Sequence, residues 1–122
     1  MHSAPSVLIV EDEAIMVMLL EKRLEVRGFR ICGTASTKEE AVRMALENSP
    51  EFIIMDVRLS GEGDGIEAAR EICTSINTHV IFITGYSGGD VKKRAMEIHP
   101  DGYLVKPFEI SELLMVMESV FG

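Results

Sequence analysis

Apolar residues in this chain follow two alternating patterns. Short unbroken runs recur along it: VLIV from Val7, FRICGTA from Phe29, FIIM from Phe52, VIFI from Val80 and YLV from Tyr103. Four of the five lack polar alternation, as strands do when both faces of a parallel sheet are covered. Between and after the runs, apolar residues recur at helical spacing. The stripes are Met16, Val17, Leu20 and Leu24; Ala41, Val42, Ala45 and Leu46; Ile66, Ala69 and Cys73; Val91, Ala95 and Ile98; and Ile110, Leu113, Leu114 and Met117. Gly28 is placed to cap the first helix, TKEE from Thr37 offers a capping box to the second, and Pro50 stops that helix before the third run. The pattern predicts (βα)5, an open doubly wound α/β sheet. Right-handed crossovers leave few arrangements, and strand order 2-1-3-4-5 is the commonest with five strands.

Composition narrows the picture. With 122 residues, 47% hydrophobic, the chain suits one compact domain over 7–122 after a flexible lead at 1–6. A net charge of −8 offers no basic stripe to displace counterions from phosphates, so no direct nucleic-acid contact is expected. The opening MHSAPS lacks the apolar core of a secretory signal, and no apolar run approaches membrane-spanning length. The expectation is a cytoplasmic protein without membrane insertion. Cys32 and Cys73 form no C-x-x-C pair and sit beside no histidine, so they read as small buried hydrophobes. His2, His79 and His99 are scattered and receive no role.

Ligands of such sheets bind beyond the carboxyl ends of the strands, so the residues there carry the chemistry. Glu11 and Asp12 follow the first run, Asp56 the third, Thr84 the fourth, and Lys106 with Pro107 the fifth. Three carboxylates brought together need a proton, a lysine or a divalent cation to offset their repulsion. All-oxygen ligation suits Mg²⁺ or Mn²⁺ rather than zinc.

VEDE, IIMDVRL, FITGYS and YLVKPF stand in an order and at a spacing that resemble the receiver domain of bacterial two-component response regulators, from Val7 to Phe121. The resemblance implies a flavodoxin-like three-layer sandwich. It also implies that Asp56 accepts a phosphoryl group from a sensor histidine kinase or a histidine phosphotransfer protein. Glu11, Asp12, Asp56 and the backbone carbonyl of Arg58 are then expected to hold Mg²⁺, with Mn²⁺ as an alternative. Thr84 and Lys106 are expected to engage the phosphoryl group, Tyr103 to act with Thr84 as the switch, and Lys106–Pro107 to be cis. The aspartyl phosphate of such a phosphorelay would bias the surface of helix 4, strand 5 and helix 5 toward a downstream effector. The chain is expected to be a signalling phosphoacceptor rather than an enzyme, catalysing at most its own phosphorylation and dephosphorylation.

Two features depart from the family pattern. Ser60 stands where members commonly have proline, and SGEGDG makes the loop after Asp56 one residue longer, with slack in its path. A dinucleotide G-x-G-x-x-G would need glycine where Ile66 stands, and an aspartyl-nucleophile hydrolase would want a second aspartate where Arg58 stands. A flavodoxin-type phosphate cradle would be expected after the first strand, where this chain has acids. Arg58 and Tyr86 are expected to overhang the phosphoryl site and slow hydrolysis. Ile15, Met18 and Leu19 lie off the sheet-facing stripe of the first helix and are assigned to docking on the kinase or phosphotransfer helices; Met115 and Val116 are assigned to an output or self-association face.

Overall fold

The computed structural model of the protein describes residues 4–85 and 88–121. Strands β1 (Ser6–Val10), β2 (Arg30–Ala35), β3 (Phe52–Asp56), β4 (His79–Thr84) and β5 (Gly102–Val105) alternate with helices α1 (Ala14–Val26), α2 (Lys38–Asn48), α3 (Gly65–Cys73), α4 (Gly89–Met96) and α5 (Ile110–Ser119). All neighbouring strands pair in parallel, in the order β2-β1-β3-β4-β5. This is the doubly wound sheet expected. β1 begins at Ser6, and the Pro5 carbonyl accepts from the Arg30 N–H at 2.8 Å, so strand pairing reaches into the span expected as a lead.

Successive side chains of the inner strands feed two separate cores. Leu8, Val10, Ile53, Met55, Val80 and Phe82 meet the small residues Ala41, Ala45, Ala69 and Ala95 of α2, α3 and α4. Val7, Ile9, Phe52, Ile54, Ile81 and Ile83 meet Leu20 and Leu24 of α1 and Leu113 and Met117 of α5. Burial on both sides leaves no strand position for a polar residue until the strand ends.

The helix ends follow local chemistry. Gly28, at φ 93°, donates to the Glu25 carbonyl while Phe29 donates to Leu24, which closes α1 in a Schellman turn with Phe29 and Leu24 in one core. Thr37 Oγ1 caps α2 by accepting the Glu40 N–H at 3.1 Å. The Glu40 carboxylate does not return to the Thr37 N–H as a capping box requires; it takes the N–H and hydroxyl of Ser36, each at 3.1 Å. α2 ends ahead of the buried Pro50 at Ser49, in the left-handed region at φ 44°.

Three core assignments are corrected. Leu46 is exposed, because it lies about 140° round the helix from Ala41 and so outside the arc that faces the sheet. The buried arc of α3 comprises Gly65, Ile66, Ala68, Ala69 and Ile72, leaving Cys73, the last residue of the helix, exposed. Cys32 is only half-buried.

α3 starts directly against the end of β3. The Gly65 N–H donates to the Val57 carbonyl at 2.7 Å, and a Cβ at Gly65 would lie 2.0 Å from the Asp56 carbonyl oxygen and 2.9 Å from Met55 Cγ. Neither the backbone of β3 nor the buried Met55 has room to retreat, so glycine is required by close approach. Gly65→Ala is expected to lower urea-unfolding stability by about 3 kcal/mol. Gly89→Ala, where no other part of the described residues lies within 4 Å of the added carbon, is expected to change it by less than about 1 kcal/mol.

Candidate functional site

The sheet ends in a cleft of about 390 Å³ lined by Asp12, Glu13, Asp56, Arg58, Gly85 and Lys106. Asp56 closes β3, opposite Ile83 of β4, and is buried because β3 is the central strand. Its Oδ1 accepts the Arg58 N–H at 3.3 Å. Glu11, also buried, is tied down by its own N–H on the Ala35 carbonyl at 2.9 Å, and its Oε2 accepts the Glu13 N–H at 3.1 Å. Asp12 faces solvent, and its Oδ2 accepts the Ser60 hydroxyl at 3.2 Å.

Lys106 reaches in from the end of β5. Its Nζ donates to Glu11 Oε1 at 2.6 Å, Asp56 Oδ2 at 2.9 Å and Glu13 Oε1 at 3.3 Å. Its backbone N–H donates to the carbonyl of Thr84, the buried last residue of β4, at 2.7 Å, and the Lys106–Pro107 peptide is cis as expected. The predicted convergence of Glu11, Asp12, Asp56 and Lys106 on one crevice is therefore met, and Gly85, the residue after the buried Thr84, lines it.

Burial pushes the Glu11 carboxyl from an ordinary 4.5 up to about 7, and the neighbouring Asp56 adds to the shift against the opposing pull of Lys106 and the Glu13 N–H. Burial alone would lower the Lys106 ammonium, but its hydrogen bonds to Glu11 and Asp56 outweigh that and hold it above its ordinary value. The site thus meets the repulsion of its acids with a lysine and with a proton poised near neutrality.

One carboxylate oxygen from each of Glu11, Asp12 and Asp56 lies within 4.8 Å of the others, the only such grouping found among the described residues. A hard, all-oxygen donor set fits Mg²⁺ or Mn²⁺.

Other expected residues lie elsewhere. Tyr103 does not line the cleft; its ring centroid is 6.4 Å from that of Phe82, with Lys92 Nζ 5.9 Å away over its face. Arg58 is exposed at the cleft, whereas Tyr86 lies outside the described residues. On α1, Ile15, Met18 and Leu19 are 83%, 68% and 41% exposed. Met115 is exposed as expected, but Val116 packs against the α5 core and Gly102, which corrects its assignment to a surface.

Three contributors were not read from the sequence. Glu13, the N-cap residue of α1, shares Lys106. Asp64 makes a reciprocal capping box with Glu67, both bonds at 2.9 Å, a signal that D-x-x-E does carry. Ser60 bonds a residue 48 positions away, and no local signal reports that.

The family model described as the response regulator receiver domain matches residues 7–118. The chain is 40% identical over 112 residues to the transcriptional regulatory protein PdtaR of Mycobacterium tuberculosis, covering 92% of this chain and 54% of that protein. It thus spans about half the length of that relative. Among solved structures it is similar to the signal receiver domain of a modulated diguanylate cyclase from Desulfovibrio desulfuricans G20, with 35% identity, TM-score 0.88, and coverage of 95% of this chain and 92% of that one. It is also similar to a chain of the CheX–CheY–BeF3–Mg²⁺ complex from Borrelia burgdorferi, at 27% identity, TM-score 0.88 and coverage of 97% and 90%.

Between pH 4.5 and about 7 the folded chain keeps a proton on Glu11 that the unfolded chain has lost, so this group's contribution to stability falls as pH rises through that window. In urea unfolding with a chelator present, wild type is therefore expected to lose stability relative to Glu11→Gln between about pH 5 and pH 8. A constant difference between the two would mean that Glu11 is ionised throughout.

Proposed function

The chain belongs to the response regulator receiver domain family, and from that premise we propose that it is a phosphoacceptor whose acceptor atom is a carboxylate oxygen of Asp56. One observation carries the reading. Asp56 is a buried strand-end carboxylate with one oxygen on the Lys106 ammonium and the other on the Arg58 N–H, in a cleft open to solvent.

In this reading Asp56 attacks the phosphorus of a phosphohistidine on a sensor kinase or phosphotransfer protein, or of a small donor such as acetyl phosphate. An O–P bond forms at Asp56, the donor's P–N or P–O bond breaks, and its electron pair leaves with imidazole or acetate. The central strand holds the nucleophile still, so little orientation is lost on reaching the transition state. The carboxylates of Glu11, Asp12 and Asp56, with the Arg58 backbone carbonyl, would hold Mg²⁺ or Mn²⁺. When bound, the cation supplies positive charge to the phosphoryl oxygens.

Lys106 now bonds Asp56 directly, and once that carboxylate has become an acyl phosphate its ammonium can pass to a phosphoryl oxygen. The Thr84 hydroxyl donates to the same group. Both residues end strands that border α4, so their movement reaches Tyr103 and the surface of α4, β5 and α5. Ile15, Met18 and Leu19 form the docking face for the donor's helices, and Arg58 at the cleft mouth hinders the hydrolytic water. The chemistry is the chain's own phosphorylation and dephosphorylation, in a cytoplasmic signalling pathway.

Intact-mass spectrometry after incubation with acetyl phosphate tests the core of this reading. A single phosphoryl adduct is expected for wild type with Mg²⁺ and not for Asp56→Asn or the chelated wild type; an adduct on Asp56→Asn would move the acceptor elsewhere. Lys106→Ala is expected to slow adduct formation about 100-fold. For docking, Met18→Glu with Leu19→Glu is expected to spare acetyl phosphate labelling while abolishing transfer from a histidine kinase. Equal transfer would remove α1 from the interface.

A further inference from the structure

Glu11 and Asp56 are both gripped by the Lys106 ammonium, whose third bond goes to Glu13. Asp12 receives none of these bonds and is exposed. An exposed aspartate freely samples rotamers, yet its carboxylate stands close enough to the other two to form one cluster. What meets it is the Ser60 hydroxyl, at 3.2 Å from Oδ2.

Ser60 is itself held. Its N–H donates to the Ser36 carbonyl at 3.0 Å, and it forms a parallel bridge with Thr37, beyond the end of β2. Ser36 is anchored in turn by the Glu40 carboxylate, which accepts its N–H and its hydroxyl. On the far side, the Gly65 N–H on the Val57 carbonyl closes the loop at its base. The glycine-rich loop, expected to have slack, is therefore pinned at its middle, and the pinned residue is the one that touches Asp12. A proline at this position, common in the family, has neither the N–H for Ser36 nor the hydroxyl for Asp12.

We propose that Ser60 is a positioning residue for Asp12: its hydroxyl, fixed by the β2–α2 turn, holds the Asp12 carboxylate in register with Glu11 and Asp56 so that the three share a divalent cation. A donor on one carboxylate oxygen fixes the plane of the group and leaves the other oxygen's lone pairs for the metal. This inference builds on the metal reading of the site given above.

The test is metal affinity measured on the full chain, with Mn²⁺ binding followed by the electron paramagnetic resonance of the free ion and Mg²⁺ by competition. Ser60→Ala is expected to weaken both about 10-fold, with urea stability in chelator unchanged, and Ser60→Thr, which keeps a hydroxyl, to restore most of the affinity. Acetyl phosphate labelling of Ser60→Ala is expected to need about 10-fold more Mg²⁺ than wild type to reach half its maximal rate, since Ser60 acts on metal occupancy. Wild type that binds Mn²⁺ with Ser60→Ala binding as tightly or more tightly overturns the role of Ser60 alone. Wild type that binds no Mn²⁺, or Asp12→Asn binding as tightly as wild type, overturns the metal reading and this inference with it.

Discussion

A single ammonium group, Lys106 Nζ, stands between carboxylates that would otherwise drive each other apart. Oxygens of Glu11, Asp12 and Asp56 lie within 4.8 Å of one another, and at such distances like charges near a protein surface repel by a few kcal/mol per pair, on the order of 332/(εr) with an effective dielectric of about 20. Lys106 offsets the two buried members directly, which leaves one cation facing three acids, while the raised affinity of Glu11 for a proton comes first from burial and then from Asp56. The deficit is what a divalent cation would fill. The Lys106 backbone is itself bonded to the end of β4, so the residue that grips the two buried acids also ties the end of β5 to β4.

The rest of the fold serves to hold that arrangement still. Beyond Ser6 and His79 at their starts, the strands buried on both faces carry apolar side chains, so their next polar residues, Glu11, Asp56 and Thr84, fall at the carboxyl edge. Asp56 gains most from this, since β3 is the central strand, with two strands on each side. Gly65 allows α3 to begin against the backbone of Asp56 itself, so the acceptor residue is fixed by its strand and by the helix that follows.

The loops around the cleft are organised by polar contacts in addition to the packing of Val57 and Leu59 into the core. Ser60 spans from the β2–α2 turn to Asp12, and Asp64 caps α3 while accepting from Arg94 of α4 at 3.1 Å. Contacts of this half-exposed kind contribute little to stability, about 0–1 kcal/mol each, so their consequence is orientation. They connect the residues proposed to hold the cation with α2, and the start of α3 with α4.

The alternation of apolar runs and helical stripes determined the element order, the parallel sheet and the edge at which Glu11, Asp12, Asp56, Thr84 and Lys106 would meet, because periodicity and burial are properties of neighbouring residues. Capping was legible for the same reason, although Glu40 chose Ser36 over Thr37, a preference that depends on how β2 enters the turn. Inward faces were less so: Leu46, Cys73 and Val116 were misplaced because the arc a helix buries depends on the angle at which it meets the sheet. The tertiary structure alone decided that Glu13 shares Lys106, that Ser60 meets Asp12 across 48 residues, and that no atom fits on Gly65. Each of these is a contact between segments distant in sequence, and its geometry exists only once the strands have paired and set the loops side by side.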